Sequence, residues 1–228
     1  MKAIVFDADH TLYNPKAERA YEKKFDFLSE ETGVEKRKLE EAWKKAATAA
    51  RQKTEPQDRG GMVREALSME GVEPDDDTVE RCQEIFWDVV VSDIEYEDGV
   101  EDILRNLQQR MDWTAVTTNE FPGPLEKKMS RVFQDHRDLF DRIVTPKDTG
   151  ETKPSERFYR MALDGAEVDF GDVVAVGDSW KRDLKPADEL GMTTVLVNSS
   201  KDDNLAAETG SGDPDYRIDR ISELVKVV

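Results

Sequence analysis

Five short runs rich in valine and isoleucine constrain the fold of this chain more than any other feature. They are AIVF at 3–6, WTAVTT at 113–118, RIVT at 142–145, VVAVG at 173–177 and TTVLV at 193–197. Each is of strand length and stops where polar residues or glycine begin. From residue 99 onward, helix-like segments at 99–110, 122–138, 155–165 and 181–190 alternate with them. DYRI at 215–218 adds a sixth short strand, and SELVKVV reads as a closing helix with Ser222 near its N-cap. Alternating strands and helices predict an α/β fold, a parallel Rossmann-like sheet with helices on both faces.

One region interrupts the alternation. Between about 15 and 95 there is no strand signal, and four segments carry helical periodicity: 15–33, 35–53, 59–71 and 75–93. Gly33 and Gly71 stand where two of them should stop. TEPQDRGG at 54–61 reads as a loop. The block is an all-α insert between the first strand and the rest of the sheet. Residues 1–14 and 96–228 are thus expected to form one domain and 15–95 another. Phe25, Trp43, Phe86 and Trp87 fall at helical spacing and are expected in the core of the insert.

Charge narrows the partners. The 228 residues carry a formal net charge of −18, which disfavours nucleic acid and anionic membrane, both rich in phosphate charge. Such a balance also fits a salt-rich cytoplasm, where screening tolerates dense carboxylates. Lysine and arginine occur 17 and 16 times, however, and lysine depletion does not support that habitat. The single cysteine, Cys82, excludes an internal disulfide and a multi-cysteine metal site, and is expected to be a small buried side chain. No basic leader with an apolar core opens the chain and no apolar run reaches 18 residues, so a soluble, cytoplasmic protein is expected.

In a parallel sheet, ligands bind beyond the carboxyl ends of the strands. There the chain places Asp7, Asp9 and Thr11 after the first run, Thr118 and Asn119 after the second, and Gly177-Asp178-Ser179 with Asp183 after the fourth. Lys153 precedes Pro154 at the mouth of the 155–165 helix. Clustered carboxylates repel and raise one another's pKa unless a cation joins them. A hard divalent cation with oxygen ligands resolves the conflict, and Mg²⁺ commonly takes one or two carboxylates beside waters and phosphate. Lys153 and Thr118 remain as donors suited to phosphoryl oxygens.

These residues carry a family resemblance over essentially the whole chain. DADHT resembles the Asp-x-Asp-x-Thr first motif of the haloacid dehalogenase (HAD) superfamily. VTTN is similar to its second motif, TKPS matches the third-motif lysine, and VGDSWKRD matches the fourth, Gly-Asp-x-x-x-x-Asp. One motif alone is weak, but four in order are specific. The resemblance implies that the insert is a C1-type cap, which closes over the site and selects the substrate. It implies Asp7 as nucleophile forming an aspartyl-phosphate, and Asp9 as the acid and base. Mg²⁺ would be held by Asp7, the backbone carbonyl of Asp9, and Asp178, with Asp183 binding through a metal water or orienting the site. Thr118, Asn119 and Lys153 would bind the phosphoryl group.

The expected activity is therefore Mg²⁺-dependent hydrolysis of a small phosphate ester. A phosphomutase of the β-phosphoglucomutase type shares all four motifs and is the rival reading. Dehalogenases lack the second aspartate, and receiver domains carry their acceptor after the third strand with no helical insert. Position 10 is His where many members have Gly; its side chain either narrows the loop or faces solvent. Arg51, Arg59 and Arg64 could bind an anionic part of the substrate, although solvation or pairing with acids is the simpler reading. Trp180 is either rim or packing, and His136 is expected at the surface.

Overall fold

The computed structural model describes residues 1–51, 59–198 and 213–228, with the backbone alone for Arg51. Strand β1 (Ala3–Asp7) is followed by four helices, α1 (Glu18–Thr32), α2 (Lys36–Arg51), α3 (Arg59–Met69) and α4 (Asp76–Ser92). Then come α5 (Val100–Arg110), β2 (Trp113–Thr117), α6 (Pro122–Val132), β3 (Arg142–Val144), α7 (Pro146–Thr149) and α8 (Arg157–Ala162). Strand β4 (Val173–Gly177), α9 (Lys185–Glu189), β5 (Thr193–Val197) and β6 (Tyr216–Ile218) complete the series. The chain divides into two compact units, Met1–Asn14 with Glu95–Val228, and Pro15–Ile94.

The first unit is built on six parallel strands in the order β3-β2-β1-β4-β5-β6. Every residue of β1 and β4 is buried, as strands covered on both faces must be. Ala3, Val5, Val173 and Ala175 pack with Phe158, Ala162, Leu184 and Ala187 on one face. Phe6 points the other way, where its ring meets Phe140 edge-on at 6.3 Å. The chain builds outward from β1 to one side through β2 and β3, then crosses back to lay β4 on the other. Strand order therefore reverses between β1 and β4, where doubly wound sheets open a crevice for ligands.

Several elements differ from their sequence patterns. The 122–138 helix ends at Val132, because Phe133 turns to extended backbone and is buried. A short 3-10 turn, His136–Asp138, follows, and it buries His136 against Glu126 rather than exposing it. The segment at 155–165 keeps only α8 as α-helix, and 181–190 opens with a π-helical turn, Trp180–Leu184. The closing segment is a 3-10 helix, Ile221–Lys226, with Arg220 at its N-cap. Ser222 lies inside it, its backbone N–H donating to Glu97. Helix α7 escapes the apolar pattern because it forms from a capping box: Thr145 and Asp148 each bond the other's backbone.

The unit Pro15–Ile94 is all helical. Asp75 caps α4, its side chain accepting from the Thr78 N–H at 2.8 Å. Gly33 ends α1 at φ 72°, a left-handed conformation that disfavours any side chain. Arg59 starts α3, so Gly60 and Gly61 are helical, while 54–58 of the expected loop lie outside the described residues. Phe25, Trp43, Phe86, Trp87 and Cys82 are all buried.

That core also holds a lysine. Lys24 is 2% exposed, and its Nζ sits 3.0 Å from the centroid of the Trp43 ring, with Tyr21, Phe25 and Phe86 around it. It has no hydrogen-bond partner among the described residues. Burial pushes its pKa down from 10.5 to about 6. The displacement corresponds to several kcal/mol at neutral pH, against about 2 kcal/mol from cation–aromatic attraction. Because the folded state binds the proton more weakly than the unfolded chain, the penalty is absent above about 10.5 and complete below about 6. Lys24→Met should therefore stabilise the protein at pH 7, by about 2 kcal/mol, and the gain should shrink toward pH 10. Thermal melts at the two pH values check this; an equal gain at both would refute it.

Candidate active site

The register of the central strands sets the site. Asp7 pairs with Thr117 across β1 and β2, and Phe6 with Val176 across β1 and β4. Asp7, Thr118 and Asp178 therefore leave three neighbouring strands at one level, at their carboxyl ends. Lys153, from the segment before α8, reaches the same point. Its Nζ donates to Asp7 Oδ1 at 2.5 Å, to the Thr117 carbonyl at 3.0 Å and to Asp183 Oδ1 at 2.7 Å. Thr11 Oγ1 donates to Asp7 Oδ2 at 3.1 Å. Asp183 comes from the π-helical turn after β4, and its other oxygen accepts from the Ser179 N–H at 3.2 Å.

Close approach dictates Gly177. A Cβ at that position would lie 2.7 Å from Asp183 Cβ, so any side chain would displace the aspartate. Asn119 supports the site from β2, its Oδ1 accepting from the Lys153 backbone N–H at 2.7 Å. Thr118 is buried, and its Oγ1 accepts from the Glu120 N–H.

Electrostatics makes the cluster unusual. One carboxylate oxygen from each of Asp7, Asp178 and Asp183 lies within 4.8 Å of the others, and all three residues are buried. Burial raises the Asp7 carboxyl to about 6, although the Lys153 charge opposes the rise. Burial, then the Asp7 and Asp183 charges, push Asp178 up to about 8. Burial works against the Lys153 ammonium, but Asp183 and Asp7 outweigh it and hold its pKa above the ordinary lysine value. Asp178 Oδ2 is buried without a hydrogen bond among the described residues, and Arg182 stands off at 3.8 Å. An orphaned carboxylate oxygen among three clustered acids fits a divalent cation.

Asp9 lies apart from those three. Both its oxygens accept from Lys128 Nζ, at 2.7 and 2.6 Å, and the same ammonium donates to Glu120 at 3.0 Å. Partial burial would raise the Asp9 carboxyl, but the Lys128 charge prevails and holds it below the usual range. Sequence reasoning missed Lys128 and Glu120. The signal was present: Lys128 sits in the apolar stripe of α6, with Leu125, Met129 and Val132 buried beside it. A lysine on that face needs a buried partner.

His10 adopts φ 63°, in the left-handed region that histidine tolerates better than most residues. It is half buried rather than turned to solvent, its Nδ1 has no hydrogen-bond partner among the described residues, and burial lowers its pKa. Trp180 packs against the core beside β4. In the helical unit, Arg59 donates to Tyr21 and stacks on Phe86 and Trp87, and Arg64 holds Asp76 and the Pro74 carbonyl. The side chain of Arg51 lies outside the described residues. No helix among the described residues is long and apolar enough to cross a membrane.

Known proteins are similar to this chain in sequence and in fold. A glyceraldehyde 3-phosphate phosphatase of Methanocaldococcus jannaschii is 35% identical over 90 residues, covering 40% of this chain and 38% of that protein. A ribulose-1,5-bisphosphate 5-phosphatase of Halopiger xanaduensis is 24% identical, over 99% of this chain and 98% of its own length. The solved HAD phosphatase from Thermococcus onnurineus shares the fold, with a TM-score of 0.70 and 22% identity over 100% of this chain and 97% of that one. The family model described as haloacid dehalogenase-like hydrolase matches residues 1–191, which include all four strand-end motifs. The chain is a member of the haloacid dehalogenase-like hydrolase family.

Proposed function

We propose that this protein is a Mg²⁺-dependent phosphatase that hydrolyses a small phosphorylated metabolite through an aspartyl-phosphate on Asp7. One observation carries the reading: three buried carboxylates cluster together, Lys153 bonds only two of them, and Asp178 Oδ2 has no hydrogen-bond partner among the described residues. Asp7, Asp178 and Asp183, with the Asp9 backbone carbonyl, are the groups that would hold Mg²⁺. Bound there, it would neutralise charge on the transferring phosphoryl group.

An Asp7 oxygen attacks phosphorus, and the bond from phosphorus to the ester oxygen breaks. The leaving alcohol takes a proton from the protonated form of Asp9, the minor form while Lys128 holds that carboxyl below the usual range. Water then attacks the phosphorus of the aspartyl-phosphate, Asp9 accepts its proton, and inorganic phosphate departs with Asp7 restored. Lys153 offsets the Asp7 charge as an anionic substrate approaches. Thr118, Lys153 and the amide N–H of Asn119 are the donors for the phosphoryl oxygens. The relatives named as glyceraldehyde 3-phosphate and ribulose-1,5-bisphosphate phosphatases favour a sugar phosphate as substrate. The helical unit Pro15–Ile94 would act as the substrate-selecting cap.

Hydrolysis of p-nitrophenyl phosphate with and without Mg²⁺, at low and molar salt, tests the chemistry, and sugar phosphates follow. Activity should vanish without the metal. Asp178→Ala should raise the Mg²⁺ concentration for half-maximal activity by at least about tenfold. An unchanged Mg²⁺ requirement would remove Asp178 from the metal site. Metal-independent turnover would refute the mechanism.

A further inference from the structure

Among the described residues of the sheet-bearing unit, the ammonium of Lys128 is the most completely enclosed cation outside the Asp7–Lys153 cluster. Its side chain is 1% exposed, whereas that of Asp9 is 31% exposed. Three carboxylate oxygens surround the nitrogen: both of Asp9 and one of Glu120. Glu120 is itself tied down, its other oxygen accepting from the Phe121 N–H at 3.1 Å. The stem of Lys128 is rooted among Leu125, Met129 and Val132 of α6. A rigid helix thus grips the one carboxylate of the site that remains open to solvent.

We propose that Lys128 is a positioning residue for proton transfer by Asp9. An aspartate with an open edge can rotate about two side-chain torsions. Bonding of both oxygens to one buried nitrogen removes most of that freedom while the side chain keeps a solvent-accessible edge. Glu120 fixes the nitrogen in turn, so Lys128 cannot follow Asp9 if it swings. A proton donor must be within hydrogen-bond reach of the leaving oxygen, and small misplacements are costly. The proposal rests on Asp9 serving as the proton carrier, as proposed above.

A purely structural ion pair would stabilise the fold and slow every substrate alike when removed. A positioning role makes a different demand: the loss must grow with the basicity of the leaving group, because a nitrophenolate departs without a proton and an alkoxide-like group does not. The test is kcat/KM, which reports the first irreversible step, over a series from 4-nitrophenyl to 4-methoxyphenyl phosphate. Lys128→Met should lose about tenfold on the nitrophenyl ester and about a hundredfold or more on the methoxyphenyl ester. Glu120→Gln keeps the lysine–Asp9 contact but loosens the nitrogen, and should steepen the series in the same direction by less. If Lys128→Met shows no cooperative melt, Glu120→Gln decides alone, with an unchanged slope overturning the proposal.

A uniform loss across the series with Lys128→Met, or a gain of activity, would also overturn it. Asp9→Asn, run beside them, separates the two readings. If it fails to steepen the series, Asp9 is not the proton carrier and the underlying mechanism falls. If it steepens the series while Lys128→Met does not, only the positioning role falls.

Discussion

Asp7→Asn should lower turnover of p-nitrophenyl phosphate by at least about 10⁴-fold while leaving the protein folded. The argument rests on position and chemistry together. Asp7 is the last residue of β1, the strand at the middle of the reversal, and its side chain is buried between Lys153 and Thr11. Asparagine is isosteric: its carbonyl can still accept from Lys153, and its amide N–H then faces the Thr11 hydroxyl, which can turn to accept. Asparagine cannot act as the nucleophile, and the neighbouring carboxylates are otherwise engaged: Asp183 is held by Lys153 and Ser179, Asp9 by Lys128, and Asp178 is assigned to the metal. Lys153 loses one charge partner but keeps Asp183, so the melting temperature should move by only a few degrees. Activity above about one hundredth of the parent's would remove Asp7 from the nucleophile role.

Lys153→Met should produce the largest effect on stability. The side chain is 2% exposed and is the cation that sits between two of the three clustered carboxylates. Removing it leaves buried like charges facing one another, which costs about 3–5 kcal/mol in comparable cases. Millimolar Mg²⁺ should recover part of that loss, since binding to the folded state alone stabilises it by mass action. Urea melts with and without Mg²⁺ measure both quantities. Phosphatase activity should also fall by about 10³-fold, the order expected when a donor to the transition-state charge is lost. A variant as stable as the parent without metal would mean that the carboxylates do not burden the fold.

Much of this was legible along the chain. Asp7, Thr118, Lys153, Asp178 and Asp183 were all picked out because they follow strand-length apolar runs or precede a helix, and those are local signals. The misreadings share a cause. His136 looked like a surface residue because nothing near it in sequence shows that Phe133 turns the chain inward. Ser222 looked like a cap because its type suits one, but the helix begins a residue earlier on different geometry. For Arg59 and Arg64 the simpler reading holds, since Tyr21, Phe86, Trp87, Pro74 and Asp76 engage them, but their type alone does not name those partners. In each case the deciding partner stands elsewhere in the chain.

The amino-acid sequence by itself determined which elements form and which side chains stand at the carboxyl ends of the parallel strands. Apolar periodicity, caps and turn residues act over a few positions, so they can be read without the fold. Only the tertiary structure decided how those side chains pair. Lys128 meets Asp9 across 119 positions, and Lys153 meets Asp7 across 146. Lys24 finds its cage of rings on three different helices. A buried ammonium is tolerable only where burial and its partners arrive together, and packing of distant segments brings them there.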